Sequence, residues 1–352
     1  MKKFLIIRTG ALGDLIQTYP VIHYLHEKFP DAQIDWMVEP SNASLVQAHP
    51  YIHKTLLVPT KFWRKKPFEW ATWKTTLNLW KEVRQTTYDA IFDLQGNSRS
   101  GIILSQLRSP NKVGFAWNSV SEWPNLLFTN KKSNPPPGKS SREDYLAIVA
   151  NFFGESPPPV NDQIVLKITP EQQKSLDALN KQILSKSKDN IIVCPGSAWP
   201  NKQLSTESLI AFLSLIQQST PCNFLFVWGS ANERTMTEQL HAKFPDGSHI
   251  IDRMSLPVLQ HFMGMCDLVI AMDSMALHLA ATTQTPTFSV FGASSSNKYK
   301  PLGDQHKSFQ GQCPYGYTFA KRCPILRTCK TGACIHDITA QQLFDRLKDK
   351  GP

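Results

Sequence analysis

No apolar run in this chain approaches the roughly 20 residues that a membrane-spanning helix needs. The opening stretch MKKFLIIRTG has two lysines but only four consecutive apolar residues, too few for the core of a secretory signal. A cytoplasmic protein is therefore expected, with any membrane contact peripheral. Acidic residues are in short supply: 28 Asp and Glu face 38 Lys and Arg, which leaves a formal charge of +10 and a pI near 9.2. That balance points to an anionic partner, whether nucleic acid, nucleotide or acidic lipid surface. No internal repeat is present, so repeat arrays are excluded. The composition, 41% hydrophobic and 19% charged, excludes a disordered chain.

At 352 residues the chain has room for two compact domains. Lys3 to Ile7 reads as a buried strand, followed by the loop Thr9-Gly10-Ala11-Leu12-Gly13-Asp14, one helical pattern over LIQTYPVIHYLHEKF, and a second strand over residues 33–38. This strand-helix-strand unit builds parallel sheets with helices on their faces. Residues 88–94 read as a further strand. Proline triplets at 135–137 and 157–159 bracket a helical stretch and mark a stiff excursion and then a linker. The alternation then restarts with strands near 191–193, 224–227, 249–251 and 268–270, each followed by an amphipathic helix. An α/β protein with two doubly wound domains follows, with the first over 1–165, the second over 166–338 and a terminal helical segment over 339–352.

In open parallel sheets ligands sit beyond the carboxyl ends of the strands. In the second domain those ends carry Pro195 to Lys202, Trp228 to Glu233, Arg253 to Ser255, and Asp273-Ser274. The strand-to-helix junction at Asp273-Ser274-Met275, with His278 four residues beyond Ser274, suits a diphosphate through backbone N–H groups and a hydroxyl. The alternative is that Asp273 and Ser274 merely cap a helix. Lys202 is placed to meet a phosphate as a point charge, or else is solvated. Glu233 could accept both ribose hydroxyls, or serve as a first-turn acid. Met254 offers a soft wall to a purine, ahead of the helix start at Ser255 and Pro257.

In the first domain Gly10 and Gly13 permit a tight turn, and Asp14 offers a positioned base. Glu39 ends the second strand, as a ribose-binding acid would, but the loop lacks the full G-x-G-x-x-G of a dinucleotide site. Lys61, Arg64, Lys65 and Lys66 interleave with Phe62, Trp63, Phe68, Trp70 and Trp73, a mix suited to an anionic sugar-lipid or headgroup layer. Seven of nine tryptophans fall in the first 123 residues. Single-stranded nucleic acid is the competing ligand, and a solvated basic helix with core tryptophans is the simplest alternative. Of the seven cysteines, Cys194, Cys222 and Cys266 lie in or beside apolar segments. Cys313, Cys323, Cys329 and Cys334 crowd together at spacings irregular for zinc, whose ligands come in close pairs.

Four of these motifs occur in order and in register: Arg8 through Asp14, Phe92 through Ser100 (FDLQGNSRS), Trp228-Gly229 through Glu233, and Asp273-Ser274 through His278. Together they resemble the ADP-heptose:lipopolysaccharide heptosyltransferases, glycosyltransferase family 9, over nearly the whole chain. The basic-aromatic segment resembles that of heptosyltransferase I. The resemblance implies a GT-B fold, two Rossmann-like domains facing a central cleft, and an inverting transfer without an essential metal or other cofactor. It implies an ADP-heptose donor held by Ser197, Lys202, Glu233, Met254, Asp273, Ser274, Met275 and His278. A Kdo-lipid A type acceptor would be held by Gly10, Lys61, Arg64, Lys65, Gln95 and Arg99, with Asp14 as base and Lys202 stabilising the leaving diphosphate. It places the enzyme peripherally at the cytoplasmic face of the inner membrane, with no nucleic-acid partner. A heptosyltransferase II-like acceptor, a nicotinamide-dependent oxidoreductase and a silent sugar-binding relative are the alternatives. Three positions depart from the family pattern. Met275 stands where Gly is usual, Arg99 where Lys is usual, and Ser140 where a His precedes the acidic helix.

Overall fold

The computed structural model describes residues 1–65 and 69–349, apart from the side chains of residues 71–73. The chain divides into two compact units, Met1–Asp162 and Gln163–Pro352. The first holds β1 (Lys3–Ile7), β2 (Gln33–Val38), β3 (Lys54–Leu57), β4 (Ala90–Asp93), β5 (Lys112–Phe115) and β6 (Lys131–Ser133). The second holds β7 (Asp189–Cys194), β8 (Cys222–Phe226), β9 (Ser248–Ile250), β10 (Leu268–Met272), β11 (Thr287–Phe291) and β12 (His306–Gln310). All pairings within each sheet are parallel, in the orders β3-β2-β1-β4-β5-β6 and β12-β11-β10-β7-β8-β9. Renumbered within its unit, each is the 3-2-1-4-5-6 order of a dinucleotide-type Rossmann sheet.

Burial on both faces explains the near-continuous apolar strands Phe-Leu-Ile-Ile in β1 and Ile-Ile-Val in β7, since a parallel sheet is covered by helices above and below. The helices begin where side chains satisfy their free N–H groups. Ser140 with Glu143 caps Ser141–Phe152, Thr169 with Gln172 caps Pro170–Ile183, and Ser205 caps Thr206–Ser219.

Three expectations are corrected. The helical pattern after β1 is two helices, Leu12–Ile16 and Tyr19–Lys28. Pro20 has no N–H for the carbonyl four residues back and its ring would crowd it, so the chain restarts with Pro20 in the first turn. The strand read over residues 88–94 is regular only over β4. Tyr88 pairs instead with the Arg108 carbonyl and sends its hydroxyl to the buried Asp35 (2.8 Å). Finally, the Ala340–Lys348 helix packs on Thr206–Ser219 and β12, and buries Leu343 in the core shared with Ile335 and Ile338, so it belongs to the second unit.

That C-terminal packing sets a steric condition at Gly311, just after β12. A Cβ there would lie 1.8 Å from the Cys334 carbonyl oxygen, a backbone atom held by its own turn. Gly311→Ala is expected to destabilise the protein by about 1–3 kcal/mol or more, the cost of forcing extra atoms into a packed interior; equilibrium urea unfolding monitored by circular dichroism measures it.

Candidate functional site

Each unit has one place where functional side chains gather, and in both it is the point where strand order reverses: between β1 and β4, and between β7 and β10.

In the first unit, the loop after β1 runs into the Leu12–Ile16 helix, in which Asp14 is the third residue. One Asp14 oxygen accepts from the Ala11 N–H (3.0 Å) and the other faces the Arg8 guanidinium (3.0 Å). Asp14 keeps about a third of its side-chain surface open while Arg8 is buried. Burial works against the Arg8 charge, and Asp14, Tyr145 and Asp93 outweigh it, so the guanidinium titrates above its ordinary range. Arg8 also donates to the Leu94 carbonyl and lies over the Tyr145 ring, 5.0 Å from its centre. Asp14 is thus both a cap and an oriented, accessible carboxylate.

The loop after β4 is organised by Asp93. This buried carboxylate accepts from the N–H groups of Gln95 and Gly96 (both 3.0 Å), from Ser100 Oγ (2.8 Å) and from Asn125 Nδ2 (2.6 Å). Burial pushes its pKa up, and these four donors oppose that shift. The turn they fix brings Gln95 Oε1 onto the N–H (3.0 Å) and hydroxyl (3.2 Å) of Thr9, joining the two loops.

A cavity of about 430 Å³ opens beside these loops, with Gly10, Lys61, Arg64, Gln95 and Arg99 in its wall. At Gly10 a Cβ would approach Asn42 Nδ2 to 3.0 Å, so the glycine keeps this wall low. Glu39 also lines it, but its two oxygens serve Thr60 Oγ1 (2.7 Å) and the Lys61 N–H (3.1 Å), which anchors the Thr60–Lys65 helix. Five of the expected acceptor residues are therefore brought together. Lys65 is not: it is exposed at the end of its helix and does not line the cavity. Asp14 itself is not in the wall, but it is bonded to the N–H of Ala11, which is. Lys66, Phe68 and the side chain of Trp73 lie outside the described residues.

In the second unit, the loop after β7 and the junction after β10 are tied directly. Ser197 Oγ donates to the Asp273 carbonyl (2.9 Å), and Lys202 Nζ meets Asp273 Oδ2 at 2.6 Å, with both side chains largely buried. The Ser294 hydroxyl donates to the same oxygen. Ser274 precedes the Met275–Ala280 helix in extended conformation, and its buried Oγ has no hydrogen-bond partner. Met275 begins the helix, and no non-glycine residue among those described has positive φ, so the side chain at this position strains nothing. His278 is buried one turn further on.

Glu233 is held at the end of β8. Its Oε2 accepts from the Gly229 N–H (2.6 Å), and its carboxylate lies against Gly196, where a Cβ would come within 2.2 Å. Gly196 is therefore what lets the β7 loop and Glu233 share one space. Met254 is half-buried on the loop after β9. Its neighbour Arg253 reaches Trp228 from one side (5.8 Å to the ring centre) and Arg234 does so too (5.2 Å). The Trp228 indole nitrogen is buried without a partner.

Sequence reasoning assigns no role to Arg8, Asp93, Ser294 or this Trp228 cluster. Arg8 and Asp93 carry a signal as charged residues at the ends of apolar strands and within the motifs, and Trp228 and Arg253 as residues of strand-end loops; Ser294 carries none. Among the described residues the seven cysteines are free thiols, and no group of three or more His, Cys, Asp or Glu is placed to hold a metal ion. Cys323 and Cys334 are buried in a small cluster against which Cys313 packs. Burial, with the nearby thiols, pushes the Cys334 thiol up to about 11.

Two Rossmann-type α/β units, each with polar loops at its switch point, are the architecture of the GT-B type. Residues 76–328 match glycosyltransferase family 9 (heptosyltransferase), and the chain belongs to that family. It is 30% identical over 299 residues to lipopolysaccharide heptosyltransferase 1 of Campylobacter coli, covering 84% of this chain and 85% of that protein. With lipopolysaccharide heptosyltransferase 1 of Escherichia coli K12 it shares 23% over 293 residues, 82% and 88% of the two chains. The fold is that of the E. coli heptosyltransferase WaaC solved with ADP-2-deoxy-2-fluoro heptose: TM-score 0.78, 18% identity, 99% of this chain and 100% of that one. The chain is thus a glycosyltransferase of lipopolysaccharide heptosyl transfer, and its family is inverting.

Four donors converge on the buried Asp93, and while Ser100 Oγ and Asn125 Nδ2 also reach the Asn97 carbonyl, the Gln95 and Gly96 N–H groups would be orphaned by its loss. Asp93→Ala is therefore expected to lower stability by about 2 kcal/mol or more, each orphaned buried donor costing about 1–3 kcal/mol. Chemical denaturation against the wild type measures this.

Proposed function

We propose that the protein transfers heptose from ADP-heptose onto the Kdo of a Kdo-lipid A type acceptor, with the second unit holding the nucleotide and the first the acceptor. The observation that carries this reading is the Asp14 carboxylate, oriented by Arg8 and the Ala11 N–H yet open to solvent, beside a cationic cavity of about 430 Å³. In the relatives, an ADP-heptose analogue is named as the bound ligand of the E. coli structure.

The reaction is one displacement. An acceptor hydroxyl oxygen bonds to the anomeric carbon as the bond from that carbon to the diphosphate oxygen breaks, and the hydroxyl proton passes to Asp14. Arg8 and the Ala11 N–H aim the carboxylate and leave lone pairs free for that proton. Lys61, Arg64 and Arg99 give the cavity the charge to receive an acidic sugar. On the donor side, Lys202 and the N–H groups and hydroxyl at Ser274 stabilise the negative charge that develops on the departing ADP, the task a divalent cation performs in metal-dependent transferases. To do so, Lys202 turns from Asp273 toward the diphosphate. Glu233 accepts from the ribose hydroxyls, and Trp228 and Met254 form the wall for the base. The acceptor's lipid portion brings the enzyme to the cytoplasmic face of the inner membrane as a peripheral protein. No helix among the described residues is long and apolar enough to cross a membrane.

Asp14→Asn keeps the shape and nearly all the capping ability while removing the base. ADP affinity is expected to hold while turnover of ADP-heptose with Kdo-lipid A falls roughly 10²–10⁴-fold; a folded variant with near-normal turnover refutes the assignment.

Lys202→Met is expected to weaken ADP binding about 10–100-fold, the worth of a charge-assisted contact, and to destabilise the fold by stranding Asp273. Adding Asp273→Asn should restore stability but not ADP affinity, as titration calorimetry and thermal unfolding together would read.

A further inference from the structure

We propose that the outer face of one helical layer of the first unit is a docking face for an anionic lipid surface. The proposal deepens the transferase reading above and rests on it for the identity of the lipid-bearing substrate.

The layer consists of the Thr60–Lys65, Trp70–Val83 and Ser98–Ser105 helices and the turn at Trp123–Leu127. Its inner side is accounted for: Leu79, Val83, Ile103 and Leu104 pack with Leu5, Ile7 and Ile91 of the sheet, and Trp63, Trp80 and Phe128 close the edge of this core. The Ser98–Ser105 helix and the turn are one rigid piece. Gly101 lies so close to Phe128 that a Cβ would come within 2.5 Å of its ring, and Asn125 Nδ2 donates to the Asn97 carbonyl (3.0 Å).

The outer side has not been put to use. Trp70, Leu77, Ile102, Trp123 and Leu127 are between 53% and 78% exposed. An exposed apolar side chain is ordinary singly, but five large ones on adjoining elements of one layer call for an occupant. The charge beside them says which. Trp70, Lys74, Leu77 and Lys81 recur at i, i+4, i+7 and i+11, so one solvent-facing stripe of the helix alternates apolar and cationic residues. Residues 98–133 carry five Lys and Arg to one acid. That acid, Glu122, is occupied by the N–H (2.9 Å) and hydroxyl (2.6 Å) of Ser98. Indole rings with lysines beside them fit the headgroup boundary, where the ring enters the acyl edge and the ammonium meets phosphate. A protein partner would instead be met by an apolar centre depleted of lysine.

The position of the face gives it a purpose. The helix that presents Ile102 outward also lines the cavity with Arg99, Ser100 and Ile103. An acceptor whose acyl chains stay in the bilayer then reaches the cavity with its sugar, while the layer rests on the same leaflet.

The test is co-sedimentation of the full chain with phosphatidylcholine vesicles containing phosphatidylglycerol, and with vesicles of phosphatidylcholine alone. The wild type should partition to the anionic vesicles, less at high salt and at least about tenfold less to the neutral ones. The exposed pairs Trp123→Ser with Leu127→Ser, Trp70→Ser with Leu77→Ser, and Lys74→Glu with Lys81→Glu should each weaken partition by about tenfold or more. Circular dichroism and ADP affinity should stay at wild-type values, which separates lost docking from misfolding. The apolar variants should turn over the water-soluble, deacylated acceptor normally and the vesicle-embedded acceptor poorly. A wild type that stays in the supernatant with anionic vesicles, or folded variants that partition as it does, overturns the proposal. Should neither acceptor be turned over while vesicle partition still depends on these residues, the docking face stands and the transferase reading fails.

Discussion

Every functional side chain in this protein depends on a constraint of sheet topology. In each unit the central strand pair, β1 with β4 and β7 with β10, sends its connections to opposite sides, so the loops leaving those two strands part and expose a crevice. A parallel strand ends in free carbonyls and a following helix begins with free N–H groups, and such a crevice is where both can be shared with a ligand or with each other. The first unit settles its crevice with Gln95 on Thr9, the second with Ser197 on Asp273. In both cases a polar side chain spans the strand reversal and holds the two loops at a fixed separation, which is what allows the next shell of residues to be placed.

The carboxylates of the first unit show how one residue type is put to different ends by burial. Asp93 is wholly enclosed and its oxygens are filled by four donors; Glu39 is buried and accepts from Thr60 and Lys61. Both serve as hubs from which loops and a helix are hung. Asp14, by contrast with these two, combines fixed orientation with open surface. Glu39 is also the residue that a dinucleotide reading would need on a ribose, and here its carboxylate anchors the Thr60–Lys65 helix.

Much of this was legible in the sequence. The α/β alternation, the tandem units and the position of the binding loops follow from apolar runs separated by Gly, Asp and Ser, because buried parallel strands write themselves as unbroken hydrophobic stretches. The flanking strands were not legible for the same reason inverted. Lys54–Leu57, Lys131–Ser133 and His306–Gln310 are short and partly polar, sit toward sheet edges and carry no such run. The break at Thr18 is visible only once Pro20 is allowed to outweigh a good amphipathic period. In the sites, residues that sit on strand-end loops could be named from position. The partnership of Arg8 with Asp14, the fourfold hold on Asp93 and the stack of Arg234 and Arg253 about Trp228 could not, since each joins segments that only the finished sheet brings together.

The pairing of Lys202 with Asp273 has a consequence for what the resting protein will accept. With both side chains largely withdrawn from water and the Ser294 hydroxyl on the same carboxylate oxygen, the cation is already neutralised by a resident anion. A passing chloride or inorganic phosphate must compete with a tethered carboxylate whose effective concentration no small solute matches. In the donor reading proposed above, the ion pair therefore favours a ligand that holds several points on these loops at once over a simple anion that would meet Lys202 alone.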